Sequence, residues 1–171
     1  MTKRLGRYEA RVKQLLRECE VAEAPVDVNA ITKHLNIRVK PTSFDRDDIS
    51  GFLHRSGDEA VIGVNREHAR TRRRFTIAHE IGHFILHKAG IDEVHVDSIK
   101  LRSSRSSEGT DREEIEANAF AAELLMPTAF LLKDADRVDL EDEKAVEELS
   151  RSYGVSTQAM SFRLTNLGLI K

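Results

Sequence analysis

The chain has few of the residues that build disulfide-bonded or aromatic-rich proteins. Its 171 residues include no tryptophan, two tyrosines, three prolines and one cysteine, Cys19. A single cysteine excludes an internal disulfide and an all-cysteine zinc site, so a metal would have to be held by nitrogen and oxygen atoms. No apolar run approaches the roughly 20 residues that span a bilayer, and residues 1–9 lack the apolar core of a secretory signal. We therefore expect a cytoplasmic protein that does not associate with a membrane.

Charge of one sign is also lacking. The 27 Lys and Arg residues face 29 Asp and Glu residues, for a net charge of −2. This balance argues against nucleic acid as the main partner. Hydrophobic residues make up 40% of the chain and charged residues 33%, which is too apolar for a disordered chain and sufficient for one core.

Hydrophobic periodicity and turn residues predict an α+β fold. Helical spacing of apolar residues predicts helices over residues 5–23, 26–35, 71–88 and 112–126, and two more within 144–167. Strand-forming residues predict a short strand over 37–40 and a hairpin over 49–64. The serine- and arginine-rich stretch 98–112 is predicted to be a loop.

One predicted helix carries a motif with clear chemistry, His79-Glu80-Ile81-Gly82-His83. Residues four apart share one face of a helix, so His79 and His83 can reach one ion at Zn–N distances of ~2.0–2.1 Å. Glu80 is rotated from that face, and it can take the proton of a water on the ion and deliver it to a leaving amine. The spacing is that of the HExxH zinc hydrolases, and the alternative is a pair of hydrogen-bonded core histidines.

A catalytic zinc ion needs a third protein ligand and one open position. The helix over 112–126 offers Glu114, which would complete a His₂Glu site, although spacing alone does not firmly exclude Glu113. Asn118 lies one turn after Glu114 and could hydrogen-bond a ligand histidine. Glu116 is rotated by about 200° from Asn118 and is predicted to point away from that face.

Several other residues are considered for the same site. His87 continues the helical spacing, but it lies about 12 Å along the axis from His79, too far to share an ion. A residue that stabilises the developing oxyanion is also expected, and by residue type alone the candidates are His54, His95 and Tyr153. The expected metal is Zn²⁺, and the same ligand types also accept Mn²⁺, Fe²⁺ or Co²⁺.

Two segments, residues 74–87 and 114–127, resemble the signature of the ImmA/IrrE family of metallopeptidases. Their order is specific, and weaker similarity covers most of the chain. The resemblance implies a minimal gluzincin-like zinc peptidase core, with a small antiparallel sheet on the active-site helix and a helical, helix-turn-helix-like C-terminal part. We accordingly predict a zinc peptidase domain over 1–130 and a helix-turn-helix-like region over 131–171.

The resemblance also implies roles for individual residues and for the protein. His79 and His83 become metal ligands, Glu80 the catalytic acid/base and Glu114 the third ligand. The implied activity is a cytoplasmic metallo-endopeptidase that cleaves an Xre-type repressor and so derepresses genes. Larger radiation-response members carry an additional C-terminal sensor domain, which we do not expect in a chain that stops at Lys171.

Two features bear on an alternative function, a partner- or DNA-binding regulator of the toxin–antitoxin kind with weak or vestigial protease activity. The stretch 156–167, which would be the recognition helix, has one basic residue, Arg163, and residues 131–171 contain six basic and eight acidic residues. Because phosphate neutralisation dominates DNA affinity, we expect no direct DNA binding there. A basic group before the HExxH motif is either a solvated helix face or a surface for an acidic segment or DNA: Arg70, Arg72, Arg73 and Arg74.

Overall fold

The computed structural model describes residues 6–87, 93–98 and 108–170. These residues form seven helices and one four-stranded sheet, so the predicted α+β class is confirmed. In chain order the elements are α1 (Gly6–Glu18), α2 (Val28–His34), β1 (Ile37–Thr42), β2 (Ile49–Ser56), β3 (Glu59–Asn65), α3 (Arg70–Leu86), β4 (Glu93–Ser98), α4 (Glu108–Leu125), α5 (Thr128–Ala135), α6 (Glu143–Tyr153) and α7 (Thr157–Asn166).

The chain divides into two compact units. Residues 28–121 form the first, which we call the sheet unit, and residues 1–27 with 122–171 form the second, which we call the helical unit. The domain boundary predicted at residue 130 stays a prediction. The predicted serine-rich loop lies mostly outside the described residues, and its last part belongs to α4, which begins at Glu108.

The sheet has the strand order β1-β3-β2-β4. Strand β2 pairs antiparallel with β3 and with β4, whereas β1 pairs parallel with β3. The sheet is therefore mixed, where the resemblance implied an antiparallel one. Residues 43–48 connect β1 to β2, which lies two positions from β1 in the sheet. The β2–β3 hairpin then places β3 between them, where it runs parallel to β1.

Strand β4 is not among the predicted elements, and it is an edge strand of the sheet. Its valines face outwards, since Val94 and Val96 are 56% and 37% exposed. Asp97 faces inwards and is only 4% exposed. This polarity is the reverse of an ordinary half-buried strand, and it brings two side chains that can bind metals, His95 and Asp97, to the inner face of the sheet.

Helix α3 lies close against the inner face of β2. A Cβ atom added to Gly51 would stand 2.6 Å from Cγ2 of Thr76 on α3 and 2.5 Å from the carbonyl oxygen of Gly63 on β3. Helix α4 also lies close to α3, because a Cβ atom on Gly82 would stand 3.1 Å from Cα of Ala117. These contacts set the spacing of α3 from its two neighbours in the sheet unit.

The helical unit confirms the predicted break between the last two helices. Gly154 ends α6 in the left-handed conformation with φ 65°, a backbone angle that favours glycine. Ser156 then caps α7, and its Oγ accepts a hydrogen bond from the backbone N–H of Ala159 at 3.2 Å.

A buried ion pair holds α7 within this unit. Arg163 is 4% exposed, pairs with the carboxylate of Glu123, and donates from Nε to the carbonyl oxygen of Met126 at 3.2 Å. Glu123 also accepts from the backbone N–H and the hydroxyl of Thr128, at 3.0 and 2.9 Å. The only basic residue of α7 is thus occupied inside the unit.

Among the described residues, no single helix is long and apolar enough to cross a membrane. The consecutive helices 112–125 and 128–135 reach that composition and length only when they are counted together.

We expect Gly51→Ala to lower the free energy of unfolding by about 1–3 kcal/mol, because the added methyl group overpacks the contact between β2, β3 and α3. Urea denaturation measures the change. The same substitution combined with Thr76→Ser, which removes the Cγ2 methyl, should lose less stability relative to Thr76→Ser alone. Wild-type stability of Gly51→Ala would contradict this packing.

Candidate metal centre

The predicted ligand residues come from two helices of the sheet unit. The middle of α3 is buried without interruption from Thr76 to His83, which places both motif histidines and Glu80 in the interior. Glu114 lies on α4 and is half-buried. Because α3 and α4 touch at Gly82 and Ala117, side chains of the two helices can meet.

The structure brings the three predicted ligands together. Nε2 of His79 and Nε2 of His83 are 3.0 Å apart. The carboxylate of Glu114 lies against both rings, with Oε2 3.4 Å from His79 Nε2 and Oε1 3.2 Å from His83 Nε2. Each residue therefore turns a potential ligand atom toward the same point.

His95 adds a fourth donor from strand β4. Its Nε2 is 3.0 Å from Glu114 Oε1, and its ring centroid is 3.9 Å from that of His83. One ligand atom from each of His79, His83, His95 and Glu114 falls within 4.8 Å of the others. Of the three residues predicted by type as oxyanion stabilisers, His95 is the one that lies in this cluster.

The other two candidates lie elsewhere. His54 pairs in the sheet with Val61 and Val94, so it faces away from the side on which Leu53 and His95 lie. Tyr153 belongs to the helical unit, where it is fully buried and its hydroxyl donates to Asp134 Oδ2 at 2.7 Å. Burial, with this hydrogen bond and the charge of Asp134, raises the pKa of Tyr153, which suits a structural hydroxyl.

Asn118 lies where its helical spacing predicts. Its Oδ1 is 3.1 Å from Nδ1 of His79, on the side of the ring opposite to the cluster. A histidine that binds a metal through Nε2 keeps its proton on Nδ1, and Asn118 provides an acceptor for that proton. The geometry therefore favours the tautomer of His79 that a metal requires.

Glu80 and Asp97 form a buried acidic pair beside the cluster. Glu80 is 0% exposed, and neither of its carboxylate oxygens has a hydrogen-bond partner among the described residues. Ligand atoms of His79, Glu80 and Asp97 lie within 4.8 Å of one another. Burial, followed by the charges of Asp97 and Glu114, raises the pKa of Glu80 well above its ordinary value, and nearby Arg55 opposes the rise.

The pKa values of the ligand groups suit metal binding. Burial, supported by the neighbouring histidines, lowers the pKa of His83 to about 4, so its imidazole is neutral at neutral pH. Burial alone would raise the pKa of Glu114, but hydrogen bonding with His79 and His83 outweighs it and holds that pKa well below the usual range. A metal binds neutral imidazoles and ionised carboxylates, which are the forms favoured here.

Arg55 of β2 holds the C-terminal end of α3. Its Nη2 donates to the carbonyl oxygen of His83 at 2.7 Å and its Nη1 donates to that of His87 at 3.0 Å. The guanidinium group also lies over the ring of Phe84, 5.2 Å from its centroid. A cation at the C-terminus of a helix is favourable, and here it ties the motif helix to the sheet.

The donor set fits a divalent cation. Three imidazole nitrogens and a carboxylate converge, and a second carboxylate, that of Glu80, is fully buried without a hydrogen-bond partner among the described residues. Buried carboxylates are costly unless they are protonated, paired with a positive charge or bound to a metal. Nitrogen and carboxylate ligands in a compact group are typical of zinc and of other first-row divalent metals.

The basic group before the motif lies at the N-terminus of α3, where the positive charge of arginine interacts unfavourably with the helix dipole. Arg70 is exposed, and Arg72 donates to the hydroxyl of Ser50 on β2 at 3.2 Å. At least one of these arginines therefore has a structural contact.

The sheet unit thus combines an α+β fold with a convergent group of side chains that could hold a metal ion, an arrangement found in metallopeptidases. Residues 32–165 match the model of peptidase family M78, described as the IrrE N-terminal-like domain. The chain belongs to this family.

Individual proteins are also similar to the chain. An immunity region protein of Bacillus phage phi105 is 28% identical over 119 residues, which are 70% of this chain and 68% of the phage protein. A Mycobacterium tuberculosis transcriptional regulator superposes with a TM-score of 0.58 at 16% identity, over 92% of this chain and 46% of the regulator. This chain thus spans less than half of the regulator, and the likeness concerns the fold.

Asp97 and Arg55 are site residues that the sequence did not predict. Asp97 lies in the alternating segment Val94-His95-Val96-Asp97, and this period of two is the signal that could have located it. Arg55 stands at the turn end of the predicted hairpin, where nothing in the local pattern points to the end of α3.

We expect metal-free Glu80→Gln to be more stable than metal-free wild type at about pH 8. Because its pKa is raised in the fold, Glu80 holds its proton more tightly in the folded than in the unfolded chain. The resulting penalty is absent below the ordinary value of 4.5 and grows as the pH rises. Urea denaturation with a chelator present should therefore show a gain that shrinks toward pH 5, and an unchanged or inverted gain would contradict it.

Proposed function

We propose that this chain is a metal-dependent endopeptidase that hydrolyses a peptide bond in a specific protein substrate. The observation that carries the proposal is the buried, unpartnered carboxylate of Glu80 beside the convergent ligand atoms of His79, His83 and Glu114. A buried carboxylate without a partner destabilises a folded protein, and such groups are retained mainly at functional sites. Membership of a peptidase family supports the same activity.

His79, His83 and Glu114 would hold the metal, which we propose to be Zn²⁺, with Mn²⁺, Fe²⁺ or Co²⁺ as other ions that the site can accept. When bound, such an ion supplies Lewis acidity, lowering the pKa of a water molecule and polarising the peptide carbonyl.

Glu80 would act as the catalytic acid/base. Its raised pKa makes the carboxylate a good proton acceptor, and both oxygens are available to take a proton from the attacking water. The protonated Glu80 then delivers that proton to the leaving amine nitrogen. Asn118 holds the His79 ring in orientation through Nδ1 during these steps.

His95 would face the substrate carbonyl oxygen. It is less buried than His79 and His83, and it comes from the sheet rather than from the ligand helices. An imidazole N–H in this position stabilises the negative charge that develops on the carbonyl oxygen.

The proposed substrate is an Xre-type transcriptional repressor, whose cleavage would derepress genes. This substrate class follows from the ImmA/IrrE resemblance, and similarity to a phage immunity region protein is consistent with it.

A second candidate is a regulator that binds a partner without cutting it. It is favoured by the fourth donor, because a metal held by His79, His83, His95 and Glu114 together would leave no position for water. Direct DNA binding through α7 is disfavoured, because Arg163 is buried in its ion pair with Glu123.

We expect the purified chain with Zn²⁺ to cut an Xre-type repressor, taken from the same gene neighbourhood, into two discrete fragments. A chelator should stop the cut, and added Zn²⁺ should restore it. Electrophoresis and mass spectrometry of the fragments provide the measurement.

The matched control is Glu80→Gln, which should bind the metal equally and lose nearly all cleavage. Cleavage that persists in this variant would contradict the proposed mechanism, whereas a stable complex without any cut by wild type would support the second candidate.

We expect His95→Ala to bind one Zn²⁺ per chain as wild type does while its kcat falls by about 10²–10³-fold, because an oxyanion contact is lost. Metal content and single-turnover cleavage separate the two roles. A weaker affinity for Zn²⁺ with unchanged or increased cleavage would instead make His95 a fourth ligand.

A further inference from the structure

A series of polar contacts extends from His83, a member of the proposed ligand group, to residues outside that group. Nδ1 of His83 is 3.0 Å from Nδ1 of His87, and Nε2 of His87 is 3.4 Å from Oε2 of Glu116 on α4. The side chains of His87 and Glu116 are only 12% and 16% exposed. Neither residue is close enough to the cluster to be counted among its ligands.

The protons in this series of contacts follow from the partner that each ring nitrogen faces. Because Nε2 of His83 faces the cluster, its remaining proton lies on Nδ1 and can be donated to Nδ1 of His87. His87 must then carry its own proton on Nε2, the atom that faces the Glu116 carboxylate. Every donor in this series meets an acceptor, with no charged imidazole required.

Neighbouring residues hold His87 and Glu116 in place. His87 directly follows α3, and its backbone N–H donates to the carbonyl oxygen of His83, while its own carbonyl oxygen accepts from Arg55. On α4, Arg112 Nε donates to Oε1 of Glu116 at 3.1 Å, which leaves Oε2 toward His87.

We propose that Glu116 and His87 form a hydrogen-bonded relay that positions His83 as a metal ligand. The inference rests on the proposed metal centre. It assigns His83 the same kind of support that Asn118 gives His79, with a carboxylate at the far end of the series. Such partners fix the tautomer and orientation of a ligand imidazole and raise its basicity. His87, which lies too far from His79 to share an ion, thus acquires a role through its neighbour.

The test is the affinity for Zn²⁺ at one fixed neutral pH, measured by competition with a chromophoric chelator on the metal-stripped full chain. We expect His87→Leu and Glu116→Leu each to raise the Kd by about 10–100-fold. Glu116→Gln should show a smaller rise, because the amide oxygen still accepts the His87 proton. His87→Gln should likewise retain more affinity than His87→Leu, because its amide oxygen can accept from His83.

The matched control is Glu113→Leu, an exposed position on the same helix, which should leave the Kd unchanged. Visible absorption of the Co²⁺ form should change in the relay variants and not in this control, and the melting temperature of each metal-free variant shows whether it is folded. If His87→Leu does not fold, the Kd values of the two Glu116 variants test the relay on their own.

Unchanged Zn²⁺ affinity in folded Glu116→Leu, or an equal loss in Glu113→Leu, would overturn the relay while leaving the metal centre intact. Failure of wild type to bind Zn²⁺ would overturn the proposed metal centre and the relay together.

Discussion

The sheet unit is organised around buried side chains whose lone pairs converge on one point, where a proton or a cation must lie between them. Nε2 atoms of His79 and His83 face each other at 3.0 Å, and the carboxylates of Glu114, Glu80 and Asp97 lie at or beside the same place. Desolvated carboxylates destabilise a fold unless they are protonated, hydrogen-bonded or paired with a positive charge. Burial raises the pKa of Glu80 and lowers the pKa of His83, so both groups favour their neutral forms when no cation is bound.

The surrounding backbone is arranged to keep these groups together. Gly51 lets α3 lie directly on the sheet, and Gly82 lets α4 lie directly on α3. Arg55 then anchors the end of α3 to β2 through two carbonyl oxygens. These contacts hold side chains from two helices and one strand at a single point, whereas the helical unit is held by its own ion pair, Arg163 with Glu123.

Features encoded within one helix were accessible from sequence, and features that depend on tertiary contact were not. Helical spacing placed His79 with His83 and Glu114 with Asn118, and these two faces meet. Spacing left Glu113 open, and the family resemblance favoured Glu114. The parallel pairing of β1 with β3 depends on where the hairpin returns, which no local pattern specifies. Strand β4 was not predicted, because its polar side chains face the interior and its valines face outwards, the reverse of the usual strand pattern. Glu116 is rotated from Asn118 as expected, yet it still contacts the residue that follows α3, His87.

Calorimetric titration of the metal-stripped chain with Zn²⁺ shows whether the buried side chains bind one divalent cation. We expect one tightly bound ion per chain and a higher melting temperature on binding, since a ligand that binds only the folded state stabilises it. Replacement of His83 by Ala should abolish this tight binding. No binding by wild type, or equal binding by wild type and His83→Ala, would rule out a metal centre at this place.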